Sequence, residues 1–291
     1  MATRLVIIGG VAAGATAAAR ARRIDEDADI TLIERGPYVS YANCGLPYFI
    51  SGEIKQRSKL LLQTPEGFAT RYRVKALVRT EALEIDREHG RVLVRGPDGE
   101  DTIDFDRLIL AQGGTPMLPT MPGATRAHVF RMWTVPDMDR MDTFITEQKP
   151  ATAVVVGGGF IGLEMAEALQ KRGLATTVVE LQPSVLSVMA HEFGVQIERE
   201  LKANGVAVET AVGVIAVREN ALELSDGRVL PAQLVLFSVG VRPELALATR
   251  AGLQLGPSGG CWSTPRCAPA TPASSPPATW SRLSSGYRAK G

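Results

Sequence analysis

Two stretches of the chain share one pattern: an apolar run, a glycine-rich turn, a helical stretch and a second apolar run that ends in glutamate. The first begins with Leu5–Ile8 and turns through Gly9-Gly10-Val11-Ala12-Ala13-Gly14. It continues as an alanine-rich segment to about Arg23 and ends with Ile30–Ile33 and Glu34. Uninterrupted apolar runs are typical of parallel strands buried on both faces. The pattern predicts a strand–turn–helix–strand unit of an α/β fold.

The second stretch repeats this order in the later half of the chain. Ala153–Val156 predicts a strand, Gly157-Gly158-Gly159-Phe160-Ile161-Gly162 a turn and helix start, and Thr176–Val179 a strand that ends in Glu180. Between the two stretches, apolar and polar residues alternate over shorter spans, which predicts a β-meander. The short strands expected in this region are Val74–Arg79, Ala82–Asp86, Arg91–Val94, Thr102–Phe105 and the return strand Arg107–Ala111, with Pro97-Asp98-Gly99 as a hairpin turn.

Composition narrows the function classes. The 32 basic and 31 acidic residues nearly cancel, so no nucleic-acid or anionic-membrane partner is expected. No apolar run approaches the roughly 20 residues of a membrane span. The first predicted strand starts almost at Met1, from which we expect no secretory signal. Three cysteines without framework spacing favour a reducing cytoplasm, and no metal site is predicted.

The glycine-rich turns indicate dinucleotide binding. Gly9 allows a tight turn and Gly14 close helix–strand packing, while Glu34, 20 residues after Gly14, would accept hydrogen bonds from a ribose. Glu180 follows the second turn in the same way. It would bond a free 2′-hydroxyl and repel a 2′-phosphate, so NADH is favoured over NADPH. The alternatives are an ordinary α/β turn and a surface glutamate.

One cysteine, Cys44, has the surroundings of a redox thiol. Leu46–Ile50 is predicted to be helical, which would place Cys44 at a helix N-terminus, where a thiolate is stabilised. The next cysteine is Cys261, so the thiol would have to pair with a substrate thiol or react with oxygen. The alternative is a small buried apolar residue.

The run Gly36-Pro37-Tyr38-Val39-Ser40-Tyr41-Ala42-Asn43-Cys44-Gly45-Leu46-Pro47-Tyr48 resembles the coenzyme A-disulfide reductases and NADH-dependent persulfide reductases. These are single-cysteine pyridine nucleotide-disulfide oxidoreductases. The likeness covers residues 4 to about 260. It implies two doubly wound, Rossmann-like domains with a β-meander insertion: an FAD domain over 1–114 that resumes over 243–260, and a nicotinamide domain over 115–242. FAD and NADH are the implied cofactors.

The resemblance also implies roles for particular residues and a reaction. NADH would reduce FAD, which would reduce a disulfide formed between Cys44 and coenzyme A; full-length relatives are homodimers. The runner-up activity is that of an NADH oxidase or peroxidase. The expected cofactor-binding residues are Gly9, Gly10, Val11, Ala12, Ala13, Gly14, Glu34, Arg35, Asn43, Ala111, Gly113, Gly157, Gly159, Phe160, Ile161, Gly162, Glu180 and Gly240. The expected substrate-binding residues are Thr16, Arg20, Arg23, Ser40 and Asn43.

The last stretch, residues 261–291, departs from the family. It contains no Val, Ile, Asp or Glu, and the family's second flavin motif, ending in Gly-Asp, falls where Ala278 and Thr279 stand. Read one base earlier, its codons are compatible with the missing motif. We therefore expect an out-of-frame, disordered tail, poor FAD binding and no dimerisation domain. The alternative to an enzyme is an inactive nucleotide-binding fragment.

Overall fold

The structure is a computed structural model that describes residues 2–256, 260–261 and 280–281. The helices are α1 (Ala12–Ile24), α2 (Leu46–Ile50), α3 (Pro65–Tyr72), α4 (Val135–Gln148), α5 (Phe160–Lys171), α6 (His191–Ala203) and α7 (Ala246–Arg250), with 3₁₀ turns at Asn43–Gly45 and Arg57–Leu60. The strands are β1 (Arg4–Ile8), β2 (Asp29–Ile33), β3 (Val74–Leu77), β4 (Glu81–Asp86), β5 (Arg91–Gly96), β6 (Gly99–Asp104), β7 (Arg107–Leu110), β8 (Gly114–Pro116), β9 (Val129–Phe130), β10 (Thr152–Val156), β11 (Ala175–Val179), β12 (Ala207–Glu209), β13 (Val214–Val217), β14 (Ala221–Leu224), β15 (Val229–Pro231), β16 (Leu234–Phe237), β17 (Val241–Pro243) and β18 (Trp280–Ser281).

The chain forms two compact units, one of residues 1–41, 61–114 and 243–291 and one of residues 42–60 and 115–242. The first unit is built on a parallel sheet in the order β18-β7-β1-β2-β3. Both faces of this sheet are buried, as the uninterrupted apolar run predicts. Ile7 packs with residues of α1 and α3 such as Ala18 and Phe68. Val6 packs on the other face with Val92 of β5 and with α7.

The predicted β-meander is present in the first unit as the antiparallel sheet β4-β5-β6. Gly96 pairs with Gly99, so Pro97 and Asp98 form a two-residue hairpin loop, and the φ of 113° at Gly99 is open only to glycine. Strand β3 ends at Leu77 rather than at the predicted Arg79, whose φ of 52° is left-handed.

The second unit repeats the plan with the parallel sheet β12-β11-β10-β16-β9. Val154 and Val156 of β10 pack against Leu222 and Leu224 of a second antiparallel sheet, β13-β14-β15. Ile7 and Val155 thus lie in separate sheets, which confirms the prediction of two doubly wound units. Within the described part of the chain, every helix is too short or too polar to cross a membrane.

The structure groups residues 42–60 with the second unit, whereas the predicted FAD domain ran without interruption from 1 to 114. The reason is packing at long sequence separation. Arg57 pairs with Asp139 of α4, and Arg172, which follows α5, donates to the carbonyl oxygen of Ile50. No local pattern in the sequence carries this information.

The structure differs from the predicted disordered tail at two residues. Trp280–Ser281, expected to be disordered, pairs in parallel with Leu108 and Ile109 of β7 as strand β18. Strand pairing uses backbone groups, which every residue carries, so composition does not report it. Apart from Cys261 and these two residues, the stretch 261–291, to which the expected frameshift applies, lies outside the described part of the chain.

Candidate functional site

The first glycine-rich turn joins β1 to α1 and is closed tightly by its own backbone. Gly9 has a φ of 102°, and a Cβ there would overlap the carbonyl oxygen of Ala111. A Cβ at Gly14 would overlap the carbonyl oxygen of Gly9. Ala111 in turn donates its N–H to the Ile8 oxygen over 2.7 Å. Both glycines are therefore required by the packing of turn, helix and neighbouring strand.

Glu34 follows β2 at the same edge of the sheet, and backbone donors hold its carboxylate. Its Oε2 accepts from the N–H of Gly10 over 2.7 Å and its Oε1 from the N–H of Gly36 over 2.6 Å. The residue is 8% exposed. Each carboxylate oxygen can accept more than one hydrogen bond, so the group keeps capacity for a ligand hydroxyl. The turn and a fixed negative charge thus adjoin each other.

The start of α1 has open N–H groups. Its N-cap, Val11, makes no side-chain capping bond, and its first turn contains no acidic residue. By contrast, α4 begins with a complete capping box of Thr134 and Asp137, and α3 is capped by Thr64. The first N–H groups of a helix have no partner within it and attract anions. The start of α1 therefore suits a phosphate.

The second turn, between β10 and α5, repeats these features. A Cβ at Gly157 would overlap the carbonyl oxygen of Ser238, and one at Gly162 that of Gly157. Glu180 accepts from the N–H of Gly158 over 2.6 Å and from that of Gln182 over 2.7 Å. Helix α5 starts without a side-chain cap and without an acidic residue in its first turn.

Gly159 differs from its neighbours in the second turn. Its φ is −79°, and a Cβ built on it would meet no protein atom within 4 Å. The protein's own packing therefore does not require glycine at this position. Close approach of a ligand's phosphates to the backbone would require it. Phe160 and Ile161, at the helix start, are exposed. The residues present thus fit a dinucleotide at this turn.

Cys44 is exposed and lies in the 3₁₀ turn Asn43–Gly45, directly before α2. The prediction that Leu46–Ile50 is helical is confirmed, with Pro47 in the first turn and no side-chain cap. A Cβ at the buried Gly45 would lie 2.6 Å from the Cδ2 of Leu60, so a larger residue there would require the Leu60 side chain to shift. The thiol therefore stands free of the core, at the open N-terminal end of a helix.

Ser40 and α1 carry the other residues expected to bind substrate. Ser40 adopts a left-handed φ of 45° and donates its N–H to Gly10 over 2.9 Å, which ties it to the first turn. On α1, Thr16, Arg20 and Arg23 are exposed and share one face by their spacing. Thr16 and Arg23 each donate to one backbone oxygen within α1, whereas Arg22 donates to several, including those of Tyr72 and Ala28.

The other predicted cofactor-binding residues are exposed or half-buried. Arg35 is exposed beside Glu244, with 3.8 Å between Nη1 and Oε2. Gly113 and Gly240 have φ of 67° and 109°. Asn43 is half-buried, Ala12 is exposed and Ala13 is half-buried.

Sequence reasoning missed the backbone donors that hold the two glutamates. The glycine two residues after Glu34 is the one sequence signal for such a donor. A Cβ at Gly36 would lie 3.0 Å from the Oε1 of Glu34. The N–H of Gln182 gives no sequence signal, since any residue but proline would supply it. Among the described residues, no cluster of His, Cys, Asp or Glu could hold a metal ion.

Comparison with known proteins gives consistent similarities. A family model described as pyridine nucleotide-disulphide oxidoreductase matches residues 3–271, past residue 260, where the sequence resemblance was expected to end. An NADH oxidase of Methanocaldococcus jannaschii is 30% identical over 258 residues, covering 87% of this chain and 58% of the relative.

Two solved structures are similar in fold over nearly the whole chain. Reduced Bacillus anthracis CoADR-RHD superposes with a TM-score of 0.90 at 37% identity, covering 92% of this chain and 49% of that one. A NAD-dependent persulfide reductase from A. fulgidus superposes with a TM-score of 0.89 at 33% identity, covering 92% and 51%. The chain thus spans between 49% and 58% of the length of these three relatives.

Proposed function

We propose, since this chain belongs to the pyridine nucleotide-disulphide oxidoreductase family, that it is an FAD-dependent enzyme passing electrons from NADH to a small disulfide or persulfide such as coenzyme A disulfide. One observation carries the proposal: two glycine-rich turns, each with an uncapped helix and a clamped glutamate, occur with an exposed cysteine before α2. Similarity to a persulfide reductase and to a CoADR-RHD protein supports the substrate class.

The first unit would hold FAD. When bound, FAD takes up a hydride from NADH and delivers two electrons to a disulfide. The N–H groups at the start of α1 would bind its pyrophosphate, and Glu34, fixed by Gly10 and Gly36, would accept from its adenosine ribose. Ala111 and Gly113, at the end of β7, would line the same edge of the sheet.

The second unit would hold NADH. The start of α5 would bind the pyrophosphate, with Gly159 allowing close approach. Glu180 would accept from a ribose 2′-hydroxyl and repel a 2′-phosphate. Since both oxygens of Glu180 already accept backbone N–H groups, its carboxylate is held in place before nucleotide binds. This arrangement favours NADH over NADPH.

Cys44 would carry out the exchange with substrate. Its thiolate attacks one sulfur of coenzyme A disulfide, a bond forms between Cys44 and that sulfur, and the other coenzyme A leaves as a thiolate and takes a proton from solvent. Two electrons, which bound FAD would supply, then break the bond between Cys44 and that sulfur: Cys44 returns as a thiolate, and the second coenzyme A leaves as a thiolate that takes a proton from solvent. The exposure of Cys44 supports this role, because the sulfur of a bulky substrate must reach it.

The exposed face of α1 would bind the phosphates of the substrate. Arg20 and Arg23 supply guanidinium groups that suit phosphate, and Thr16 lies one turn before Arg20. Ser40 and Asn43, near the thiol in sequence, would contribute polar contacts. We propose a small-molecule substrate, no nucleic-acid or membrane partner and a cytoplasmic location.

Replacing Cys44 with serine tests the central step. We expect Cys44→Ser to lose disulfide turnover at least about 100-fold while flavin reduction by NADH, followed anaerobically by absorbance, is kept, because hydride transfer precedes exchange. Cys261→Ser, at the other cysteine among the described residues, is the control and should keep both activities. Substantial disulfide turnover by Cys44→Ser would remove this residue from the reaction.

Two other functions are separable from this one. The similarity to an NADH oxidase favours oxygen as acceptor, and oxygen consumption exceeding the disulfide rate would support it. The other is an inactive nucleotide-binding protein. Binding of NADH by a protein that retains no FAD would identify that case.

A further inference from the structure

The helix that follows Cys44 cannot fix its own position. Helix α2 has five residues; its N-cap, Gly45, makes no side-chain bond, and at its other end the hydroxyl of Ser51 donates only within the segment, to the carbonyl oxygen of Tyr48 over 3.1 Å. Isolated helices shorter than about 12 residues are marginal in water. Leu46 and Ile50 are buried and anchor one face of α2, but apolar contacts are not directional and leave rotation and sliding open. The placement of the thiol therefore depends on directional contacts.

Arg172 supplies one such contact at the far end of α2. Its Nη1 donates to the carbonyl oxygen of Ile50, the last residue of α2, over 3.2 Å. Its Nη2 donates to the Oδ1 of Asp142 on α4 over 2.7 Å and lies 3.4 Å from the Oγ1 of Thr146. The carbonyl end of a helix carries partial negative charge and attracts a cation. One guanidinium therefore joins the end of α2 to α4.

Arg57 supplies a second contact, at the end of the same segment. Its Nε and Nη2 donate to the two carboxylate oxygens of Asp139 over 2.6 and 2.7 Å. Such a two-point pair fixes orientation as well as distance. Asp139 and Asp142 are three residues apart on α4 and lie on the same side of it. Two arginines thus attach residues 42–60 to α4: Arg57 from within the segment, and Arg172 by bridging Ile50 and Asp142.

Lys171 makes a third contact of a different kind. Its Nζ lies 2.8 Å from Glu53 and 2.7 Å from Glu167, but all three side chains are at least 44% exposed. Hydrogen bonds to Glu167 and Glu53 raise the pKa of Lys171. Exposed pairs of this kind contribute little to fixing a structure. The side chains of Arg172 and Asp142 are each 29% exposed.

We propose that Arg172 and Arg57 are positioning residues for the thiol of Cys44. They hold the segment carrying the thiol on the framework of α4 and α5, and so align the sulfur for exchange with a substrate disulfide. The proposal rests on the proposed function only in taking Cys44 as the exchanging thiol. A misplacement of about 1 Å can slow an oriented reaction by up to about 100-fold, whereas a small unoriented reagent is insensitive to it.

The test compares an oriented reaction with an unoriented one on the full chain, without need of flavin or NADH. The oriented reaction is attachment of one coenzyme A from coenzyme A disulfide to Cys44, followed by intact mass and peptide mapping. The unoriented one is alkylation of Cys44 by iodoacetamide. We expect Arg172→Gln to slow attachment about tenfold and to change alkylation less than about twofold. Arg57→Lys, which keeps the charge but loses the two-point geometry, should fall between Arg172→Gln and wild type.

Two variants serve as matched controls. Lys171→Gln removes the adjacent exposed contact, and Arg218→Gln removes the pair with Glu223 elsewhere in the unit; both should keep the wild-type ratio of attachment to alkylation. An unchanged ratio in Arg172→Gln overturns the proposal, as does a wild-type ratio no higher than that of Cys261. Equal loss of both rates together with loss of cooperative unfolding assigns Arg172 to folding alone and also overturns it.

Failure of the proposed function would look different. A wild-type chain that attaches coenzyme A to Cys44 yet never turns over disulfide with NADH lacks the activity but still reports on the positioning residues. A chain that turns over disulfide with Arg172→Gln at the wild-type rate has the activity and contradicts the positioning role.

Discussion

At the scale of single residues, two glutamates carry the same arrangement in the two halves of the chain. Glu34 and Glu180 each accept one N–H from the glycine-rich turn and one from the residue two positions further on. These bonds orient each carboxylate without neutralising its charge. Each glutamate thus presents a fixed negative charge at the edge of its sheet, where a ribose hydroxyl would be accepted and a phosphate repelled.

Replacement of Glu180 by alanine should narrow the preference for NADH over NADPH. A hydrogen bond to a charged group contributes about 1.5–3 kcal/mol, so NADH affinity should fall roughly tenfold or more, while NADPH, freed from repulsion, should lose less. Calorimetric titration with both nucleotides measures the ratio. Glu223→Ala, which removes an ion pair with Arg218 in the same unit, is the control. A ratio unchanged by Glu180→Ala would refute the role of Glu180.

At the scale of elements, glycine occurs at three positions of the second glycine-rich turn for different physical reasons. Gly157 and Gly162 are forced by backbone atoms of the protein, whereas Gly159 faces open space. The sequence motif treats all three alike. The structure separates the glycines that make the fold possible from the one that leaves room for a ligand.

Alanine substitutions should separate these causes. Gly162→Ala would press a Cβ onto the carbonyl oxygen of Gly157 and should lower the free energy of unfolding by about 1–3 kcal/mol. Gly159→Ala, at the N-cap of α5, should lower the free energy of unfolding by no more than about 1 kcal/mol but weaken NADH binding at least about tenfold, because the methyl group occupies the approach of the pyrophosphate. Chemical denaturation and nucleotide titration measure the two effects. A stable Gly159→Ala protein with normal NADH affinity would contradict the assignment.

Helix α1 offers a second matched pair. Arg22 donates to five backbone oxygens, those of Tyr72, Asp25, Glu26, Ala28 and Arg73. Arg22→Ala should therefore lower the free energy of unfolding by about 1–3 kcal/mol, because part-buried carbonyls lose their donors. Arg20→Ala should leave unfolding unchanged and raise the KM for coenzyme A disulfide. A stability loss in Arg20→Ala equal to that in Arg22→Ala would show that Arg20 is structural.

At the scale of the whole molecule, much of the fold could be predicted from periodicity and glycine spacing. The apolar run Leu5–Ile8 falls within β1, and α2 has the predicted bounds, because both depend on local pattern. The grouping of residues 42–60 could not be predicted, since Arg57 and Asp139 are 82 residues apart. The backbone donors to the glutamates were equally hidden, because an N–H is not specific to residue type.

The stability of the fold in acid should depend on Asp106, which precedes β7 and accepts hydrogen bonds from Arg4 at the start of β1. Side-chain and backbone hydrogen bonds from Arg4 lower the pKa of Asp106 to about 2. Because this pKa is lower in the folded state, the ionised carboxylate stabilises the fold at pH values above the ordinary pKa of 3.8. The stabilisation is lost as the pH falls through about 2. Asp106→Asn should therefore be less stable than wild type at pH 7, by less than about 1 kcal/mol because the pair is exposed.

The difference between Asp106→Asn and wild type should shrink as pH falls from about 4 to about 2 and vanish below that, where Asp106 is protonated in the folded state as well. Denaturation at several pH values measures it, with Asp98→Asn, in the exposed β5–β6 turn, as control. A difference as large at pH 2 as at pH 7 would show that Asp106 acts through its shape rather than its charge.

The division of the chain has a consequence for its synthesis on the ribosome. The second unit consists of residues 42–60 and 115–242, while the first also needs residues from 243 onward, among them Leu247 and Leu253, which fill one face of its core. The unit that contains the amino terminus is thus the later one to have all its parts. During synthesis, the sheet that contains the first glycine-rich turn therefore remains incomplete until the cysteine-bearing unit has been fully translated.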